Sequence, residues 1–179
     1  MRRFCALGVL VCVLLVGLGP VAWGADVVSE FRLGVLAHDT PGLCFNRESG
    51  ADLNAELLFV SPGFLQAIGA PRPHIGGSLN TSGDTSQVYA GLTWNGDLGR
   101  GFFVEGMLGG ALHNGKLDTD DSDRKSLGSS VLFRLGVALG YAFSERVNVL
   151  LVYDHISNAN LTTNNEGMET VGLKLGYRF

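Results

Sequence analysis

Apolar residues alternate with small or charged residues along most of this chain, and this period of two restricts the fold more than any other feature. Between Val131 and Phe143, every odd-numbered residue is apolar or aromatic, whereas the even-numbered residues are mostly small or charged. Successive side chains of a β-strand point to opposite faces, so each such run predicts a strand with one apolar face. We find eight runs, at residues 27–38, 51–61, 72–81, 86–95, 101–113, 129–143, 146–157 and 168–179.

The polar face of these strands indicates which kind of barrel they form. It combines many glycines with charged residues, namely Arg32, Glu56, Glu105, Arg134, Lys174 and Arg178. Small residues leave room for such charges to pair across a narrow lumen, whereas the outside of a soluble barrel would carry more Lys and Glu. Many strands also reach the length of about ten residues that a tilted strand needs to cross a bilayer. We therefore predict an all-β fold, an eight-stranded antiparallel transmembrane β-barrel of the outer-membrane type, in preference to a soluble β-barrel.

The N-terminal segment has the layout of a secretory signal peptide. Arg2 and Arg3 precede a long apolar run, and small residues follow at 22–25. We therefore predict a signal peptide at residues 1–24, cleaved near residue 24, and a barrel domain at residues 25–179 in the cell outer membrane. The alternative is an uncleaved transmembrane helix, because the apolar run approaches the length of about 20 residues that spans a bilayer.

Charge and cysteine content narrow the possible classes of function. Without residues 1–24 the chain carries 11 Lys and Arg against 17 Asp and Glu, so its charge gives no support for nucleic-acid binding. Cys5 and Cys12 belong to the predicted signal peptide, which leaves Cys44 as a single cysteine. We therefore expect no intrachain disulfide and no cysteine metal site, and we interpret Cys44 as an unpaired thiol in a loop.

The lengths of the connections indicate the orientation of the barrel. If both ends of the barrel domain are periplasmic, the long connections 39–50, 114–128 and 158–167 lie at the extracellular end, as such barrels prefer. Segment 62–71 is long for a periplasmic connection, and we interpret it as a short helical turn. The acidic segment 116–125 could bind a divalent cation, but it lacks the full calcium-loop pattern, and a solvated loop is the favoured interpretation.

Three polar residues lie near the extracellular end of the last two predicted strands. His155 and Ser157 continue the outward-facing parity of strand 146–157, and Glu169 continues that of strand 168–179. Hairpin pairing places His155 near Glu169, and His155 and Ser157 are about 6–7 Å apart along one face. A histidine beside a serine and a carboxylate follows the logic of an activated nucleophile. From geometry alone, a catalytic set and a polar rim at the membrane interface are equally open interpretations.

The stretch "HISNAN" followed by "NEGME" resembles the lipid A 3-O-deacylases, the PagL family of outer-membrane barrels. The residues that match the pattern of that family, with its spacing, are His155, Ser157, Asn158, Ala159, Asn165, Gly167 and Glu169. The specific motif covers only 155–169, while the predicted barrel covers the whole mature chain. The segment "DLNAELLF" at 52–59 resembles the family more weakly.

The resemblance implies a carboxylic ester hydrolase with a serine nucleophile. Ser157 would attack the ester, His155 would act as general base and then as general acid, and Glu169 would orient His155. The side-chain amide of Asn165 and a backbone N–H near Asn160 would form the oxyanion hole, with Asn158 and Gly167 as further positioning residues. The family pattern leads us to expect a glycine where this chain has Asn160.

The implied reaction removes the acyl chain that is ester-linked at position 3 of lipid A, in the outer leaflet. The implied partners are lipid A or lipopolysaccharide and the outer-membrane lipids, with no cofactor and no metal, and a homodimer is left open. Three alternatives are also open: a non-enzymatic structural or adhesive barrel, an acyltransferase barrel that acts on lipid A, and a soluble barrel that binds a ligand in its lumen.

Overall fold

The computed structural model describes residues 27–179, and these form a closed antiparallel barrel of eight strands. Each strand pairs with its neighbours in the chain, and the first strand closes the barrel on the last. The strands are β1 (Val28–Ala37), β2 (Ala51–Phe59), β3 (Arg72–Asn80), β4 (Gln87–Gly99), β5 (Phe102–His113), β6 (Val131–Ala142), β7 (Val147–Ser157) and β8 (Met168–Arg178). The predicted eight-stranded barrel is confirmed. The predicted signal peptide at residues 1–24 lies outside the described residues and stays a prediction.

Strand boundaries follow the sequence pattern closely, with the largest difference at β4. This strand continues to Gly99, four residues beyond its predicted end, because residues 95–97 remain paired with the start of β5. Among residues 27–179 there is no helix long and apolar enough to cross a membrane.

The apolar faces of the strands point outward, away from the lumen. Leu33, Val35, Leu135 and Val137 are each more than half exposed on the outer wall. Such a wall is stable only where the surrounding solvent is itself apolar, as lipid is. The soluble-barrel alternative, which requires these faces to point inward, is therefore wrong.

The lumen near the end of the barrel where β1 begins and β8 ends is filled by a network of ion pairs around Arg32. The Arg32 guanidinium donates to Glu105 through two nitrogens, at 2.7 and 2.8 Å, and to Glu30 at 2.8 Å. Arg72 bridges the same two carboxylates, at 2.7 Å from Glu30 and 2.8 Å from Glu105. The charges predicted on the inner face are therefore compensated in pairs.

A second network fills the middle of the lumen around Glu56. This carboxylate accepts from Lys174 at 3.0 Å and from the Tyr89 hydroxyl at 2.9 Å, while Arg134 pairs with Asp154 at 2.7 Å. Arg134 also lies over the Tyr89 ring, 3.9 Å from its centroid, which adds a cation–π contact. Because these side chains are almost wholly buried, the lumen is a packed polar core.

The predicted helical turn in segment 62–71 is confirmed as a 3₁₀ turn at Gly63–Ile68. It ends at Gly69, whose φ of 88° is a left-handed conformation that glycine adopts at low cost. The Trp94 indole N–H donates to the Ile68 carbonyl at 2.8 Å and fixes the turn against the barrel rim.

Replacing Glu105 by alanine removes the carboxylate that pairs with both Arg32 and Arg72. We expect the free energy of unfolding to fall by about 3–5 kcal/mol, because one side of a buried ion pair is lost and the other stays buried. Urea titration of the protein in lipid vesicles, followed by tryptophan fluorescence, measures the change.

The matched control is Glu145→Ala, which removes an exposed carboxylate in the connection between β6 and β7. It should change the free energy of unfolding by less than about 0.5 kcal/mol. Equal losses in the two variants would contradict a structural role for the lumen network.

Candidate active site

The pairing of β7 with β8 brings His155 directly opposite Glu169 on the outer wall. His155 Nδ1 lies 2.7 Å from Glu169 Oε1, a short contact between an imidazole and a carboxylate. The histidine side chain is 16% exposed, whereas the glutamate side chain is fully buried. A carboxylate can only accept, so we assign the ring proton to Nδ1, which leaves the lone pair of Nε2 available as a base.

Ser157 is the last residue of β7 and shares the outward face of His155. Its partner on β6 is Phe133, just as the partner of His155 is Leu135. Within residues 27–179 the structure shows no hydrogen bond between the Ser157 hydroxyl and His155. Two residues along a strand are separated by about 6–7 Å, and rotation of the serine and histidine side chains can close that gap.

Glu169 is not exposed on the lipid-facing wall as the sequence parity predicted. The first outer connection, which joins β1 to β2, folds down over it: the Thr40 N–H donates to the Glu169 carbonyl at 2.9 Å and the Cys44 N–H donates to Oε2 at 3.3 Å. Gly42 lies where a Cβ would come within 3.2 Å of the Tyr153 hydroxyl. Segment 40–44 therefore covers the carboxylate and supplies a hydrogen bond that sequence reasoning missed.

Cys44 lies in a loop, as expected, but it also lies at this site. Its Sγ is within 4.8 Å of ligand atoms of His155 and Glu169. Burial and the neighbouring Glu169 carboxylate raise the pKa of the Cys44 thiol to about 11, so the thiol is protonated at neutral pH. Cys44 and Glu169 are 125 positions apart in the chain, and no pattern in the sequence links them.

In the fourth outer connection, which joins β7 to β8, asparagine side chains hydrogen-bond to one another and to the backbone. The Asn165 side chain accepts from the Asn158 N–H at 2.9 Å and donates to Asn160 Oδ1 at 2.9 Å. The buried Asn158 amide donates to the Leu127 carbonyl at 2.9 Å, which ties this loop to the third outer connection, between β5 and β6. Asn160 has a φ of 61°, a left-handed conformation that glycine and asparagine both tolerate. The backbone conformation thus accounts for asparagine where glycine was expected.

Gly167 leaves room for the Cys44 and His155 side chains, and Lys125 from the third outer connection binds the Gly167 carbonyl. A Cβ at Gly167 would lie 2.7 Å from Cys44 Sγ and 3.2 Å from His155 Cε1. The Gly167 carbonyl accepts from Lys125 Nζ at 2.7 Å, and the same ammonium pairs with Asp39 at 2.7 Å. Lys125 is fully buried, so the end of segment 116–125 is not the solvated loop that we expected. Sequence reasoning missed this lysine because nothing in its neighbourhood suggests burial.

A third polar network, around His38 and Glu48, lies beneath the loops at the same end of the barrel as His155. His38 contacts Asp52 through Nδ1 at 2.8 Å and Glu48 through Nε2 at 3.0 Å, and Glu48 also accepts from the Thr85 N–H and hydroxyl, both at 3.0 Å. Burial opposes protonation of His38, but its hydrogen bonds to the Asp52 and Glu48 carboxylates and their negative charges outweigh burial and raise its pKa to about 9. His38 is therefore a cation at neutral pH, and it holds Glu48, which joins the β1–β2 connection to Thr85 in the β3–β4 connection.

An apolar groove begins at His155 and runs along the outer wall. Its upper part, of about 260 Å³, is lined by Leu43, Leu135, Val137, Tyr153 and His155 among others. A second hollow of about 390 Å³ shares Val137 and Tyr153 with the first and continues towards the middle of the bilayer. The imidazole thus lies at the upper end of a long apolar surface.

These features define a class of protein: an outer-membrane-type barrel that carries an imidazole–carboxylate pair on its outer wall. The profile of the family described as "Lipid A 3-O-deacylase (PagL)" matches residues 67–178, which is more than half of the chain. The chain therefore belongs to the lipid A 3-O-deacylase (PagL) family. No curated protein matches it at a significant level.

Solved structures with the same fold include one member of this family. The crystal structure of the outer membrane enzyme PagL has a TM-score of 0.65 and 20% identity, over 84% of this chain and 100% of that chain. The de novo designed TMB2.3 has a TM-score of 0.52 and 12% identity, over 86% and 97%. The outer membrane protein Ail of Yersinia pestis has a TM-score of 0.50 and 13% identity, over 86% and 100%. At these identities the likenesses show the fold alone.

The ionisation of His38 makes the packing of the outer loops depend on pH. The raised pKa means that its stabilising contribution is complete below the unfolded value of about 6.5 and is lost as the pH rises through about 9. Glu48, whose pKa is lowered to about 2, loses its contribution only when the pH falls through that value. We expect hydrogen exchange at residues 38–50 and 85, corrected for intrinsic rate, to accelerate between pH 7 and 10.

The control is His38→Gln, which keeps hydrogen-bonding capacity but cannot titrate. Its corrected exchange rates should show no step in this pH range. A step of equal size in the variant would assign the change to another group.

Proposed function

We propose that this protein is a lipid A 3-O-deacylase, an enzyme that hydrolyses the acyl ester at position 3 of lipid A in the outer leaflet. The observation that carries the proposal is the 2.7 Å contact between His155 and Glu169 on the outer wall, at the upper end of the apolar groove. Membership of the PagL family supports the choice of substrate. Because the lumen is filled by ion pairs, the outer wall is where a lipid ester can meet the protein.

The proposed chemistry is acyl transfer through Ser157. His155 Nε2 takes the hydroxyl proton while Ser157 Oγ attacks the ester carbonyl, and Glu169 stabilises the imidazolium that forms. The tetrahedral intermediate collapses by breaking the bond to the sugar oxygen, which leaves with the proton from His155. Water, deprotonated by His155, then attacks the acyl-serine, and the fatty acid is released as Ser157 recovers its proton.

The oxyanion of each intermediate needs hydrogen-bond donors, and we propose Asn165 and a backbone N–H near Asn160. The Asn165 amide has two N–H groups, and the bond to Asn160 Oδ1 uses one of them. The contact from the Asn158 N–H fixes the amide plane, so the second N–H has a defined direction. Asn158 and Gly167 act as positioning residues, the first by holding the loop and the second by leaving room for the imidazole.

The groove below His155 gives the acyl chain a place to bind. Leu43, Leu135 and Tyr153 surround its upper part, and the second hollow continues over Leu139 and Leu151. An acyl chain that lies in this groove stays parallel to the lipid tails, so little of its apolar surface has to be rehydrated. The ester is then held at the height of the strand ends, where lipid A has its sugar headgroup.

Export is part of the same proposal. A signal peptide at residues 1–24, cleaved near residue 24, would deliver the barrel to the outer membrane. With both ends of the barrel periplasmic, His155, Ser157 and Glu169 lie at the level of the outer leaflet, which lipid A occupies.

Removing the Ser157 hydroxyl tests the nucleophile and the reaction together. We expect the wild-type protein in detergent to remove one hydroxyacyl chain from lipid A, and Ser157→Ala to be slower by on the order of 10³-fold or more. Mass spectrometry of lipid A after incubation measures the loss. Ser130→Ala, which removes an exposed hydroxyl at the same end of the barrel, is the matched control and should retain activity.

Unchanged lipid A with folded wild-type protein would overturn the proposal and favour a structural or adhesive barrel. A gain in mass when phospholipid is supplied would favour an acyltransferase instead. Equal activity of Ser157→Ala and wild type would exclude Ser157 as the nucleophile.

Lys125→Met tests whether the buried lysine positions the site. The variant keeps the length of the side chain but loses the N–H groups that hold Asp39 and the Gly167 carbonyl. Because Gly167 packs against the His155 ring, we expect kcat to fall by about 10–100-fold with little change in KM, as for a small misplacement of a catalytic group. Steady-state hydrolysis of lipid A in mixed micelles separates the two constants.

Lys116→Met is the matched control, since Lys116 is exposed in the same connection. It should leave both constants unchanged. An unchanged kcat in a folded Lys125→Met variant would contradict the positioning role of Lys125.

A further inference from the structure

We propose that Cys44, His155 and Glu169 form a binding site for Zn²⁺, and that zinc bound there blocks the hydrolysis. The metal site itself stands on the geometry of these three side chains, while the inhibition rests on the proposed function. Neither the family match nor the sequence pattern assigns Cys44 any role, and we had expected no metal site from a single cysteine.

The distances are close to those of a zinc site. One ligand atom from each residue lies within 4.8 Å of the other two. Bonds of about 2.0–2.3 Å in a tetrahedral arrangement place neighbouring ligand atoms roughly 3.3–3.8 Å apart. The contact between His155 Nδ1 and Glu169 Oε1, at 2.7 Å, would open by somewhat less than 1 Å as the ring proton gives way to the metal.

The donor set favours zinc over the hard cations. Zinc binding would displace the Cys44 thiol proton to solvent. The resulting thiolate, an imidazole nitrogen and a carboxylate oxygen form a borderline-soft set, which suits Zn²⁺, whereas Mg²⁺ and Ca²⁺ prefer oxygen ligands alone. Three protein ligands leave a fourth position for water, as in zinc sites that are not fully closed by protein. Glu169 is fully buried and Cys44 is partly buried, so water competes little for two of the three ligands.

The fold holds the three ligands together from three different segments. The Cys44 N–H donates to Glu169 Oε2 at 3.3 Å and the Thr40 N–H donates to the Glu169 carbonyl at 2.9 Å, so the first outer connection is bound to β8 at Cys44 itself and four residues before it. Gly167 leaves the space that the thiol occupies, since a Cβ there would be 2.7 Å from Sγ. The ligands therefore meet with the loop already folded, and binding does not have to order it.

Zinc at this position would remove the general base without contacting the nucleophile. Hydrolysis needs a proton on Nδ1, facing Glu169, and a free lone pair on Nε2, facing Ser157. A metal bound through the Nδ1 lone pair reverses this arrangement, because neutral imidazole then carries its proton on Nε2. His155 would become a donor towards Ser157 and could not accept its proton.

Cobalt replaces zinc as a spectroscopic probe of the metal site. The purified protein, folded in detergent and without a polyhistidine tag, is titrated with Co²⁺ and then with Zn²⁺. We expect one equivalent of Co²⁺ to give a thiolate-to-cobalt charge-transfer band that Zn²⁺ abolishes. Cys44→Ser should lose the band, while His113→Asn, which removes a histidine outside the site, should keep it.

Lipid A hydrolysis with and without zinc then tests the inhibition. At Zn²⁺ equal to ten times its dissociation constant, mass action predicts about a tenfold loss of wild-type activity. The ratio of activities with and without zinc should stay near one for Cys44→Ser, whatever its own basal rate. This ratio separates an effect through Cys44 from a general effect of zinc on the substrate.

Each result decides one part of the proposal. No charge-transfer band, or the same band in Cys44→Ser, would overturn the metal site and leave the thiol as a hydrogen-bond donor to Glu169. A metal-bound protein that hydrolyses lipid A at an unchanged rate would overturn the inhibition. Metal binding through Cys44 in a metal-free protein that never hydrolyses lipid A would leave the site standing and refute both the proposed function and its inhibition.

Discussion

The bilayer as a solvent is the constraint on which the rest of this structure depends. Lipid cannot satisfy backbone N–H and C=O groups or charges, so the strands close into a barrel and the charged side chains turn inward. Arg32, Arg134 and Lys174 are accordingly buried in ion-pair networks across the lumen. These networks fill the interior, and any chemistry on a lipid must therefore take place on the outer wall. His155, which lies on the outer wall, departs from the rule that places the arginines inside.

An ionisable group on a lipid-facing wall has to be shielded from lipid, and the loops provide this shielding. Segment 40–44 shields Glu169 and donates to it, while Lys125 ties the first and third connections to the backbone beside His155. The barrel strands alone therefore do not form the candidate site, which also needs the outer connections. The strands bring His155 opposite Glu169, and the outer connections make it possible for a carboxylate to remain there.

The division between strands and loops also explains how much could be predicted from the sequence. Period-two alternation predicted all eight strands and their faces, and hairpin symmetry predicted the pairing of His155 with Glu169, because both rest on local rules of the extended chain. The cover over Glu169, the place of Cys44 and the burial of Lys125 depend on contacts between loops far apart in sequence. No periodicity describes such contacts. For Asn160, the sequence showed only a departure from the family pattern. The left-handed backbone conformation, which explains the asparagine, is a property of the folded loop.

The four histidines of the chain show what distinguishes the candidate base. His38 uses both ring nitrogens on carboxylates, His74 uses its two on Thr93 and Arg134, and those of His113 contact the Ser129 carbonyl and the Gly115 N–H. Within residues 27–179, only His155 keeps one ring nitrogen without a protein hydrogen-bond partner. A histidine with both nitrogens engaged serves structure, because accepting a proton from a substrate would break a contact. Nε2 of His155 is free while Nδ1 is fixed by Glu169, and this makes the imidazole available for proton transfer. A ligand that replaces the proton on Nδ1 would therefore control the proposed reaction.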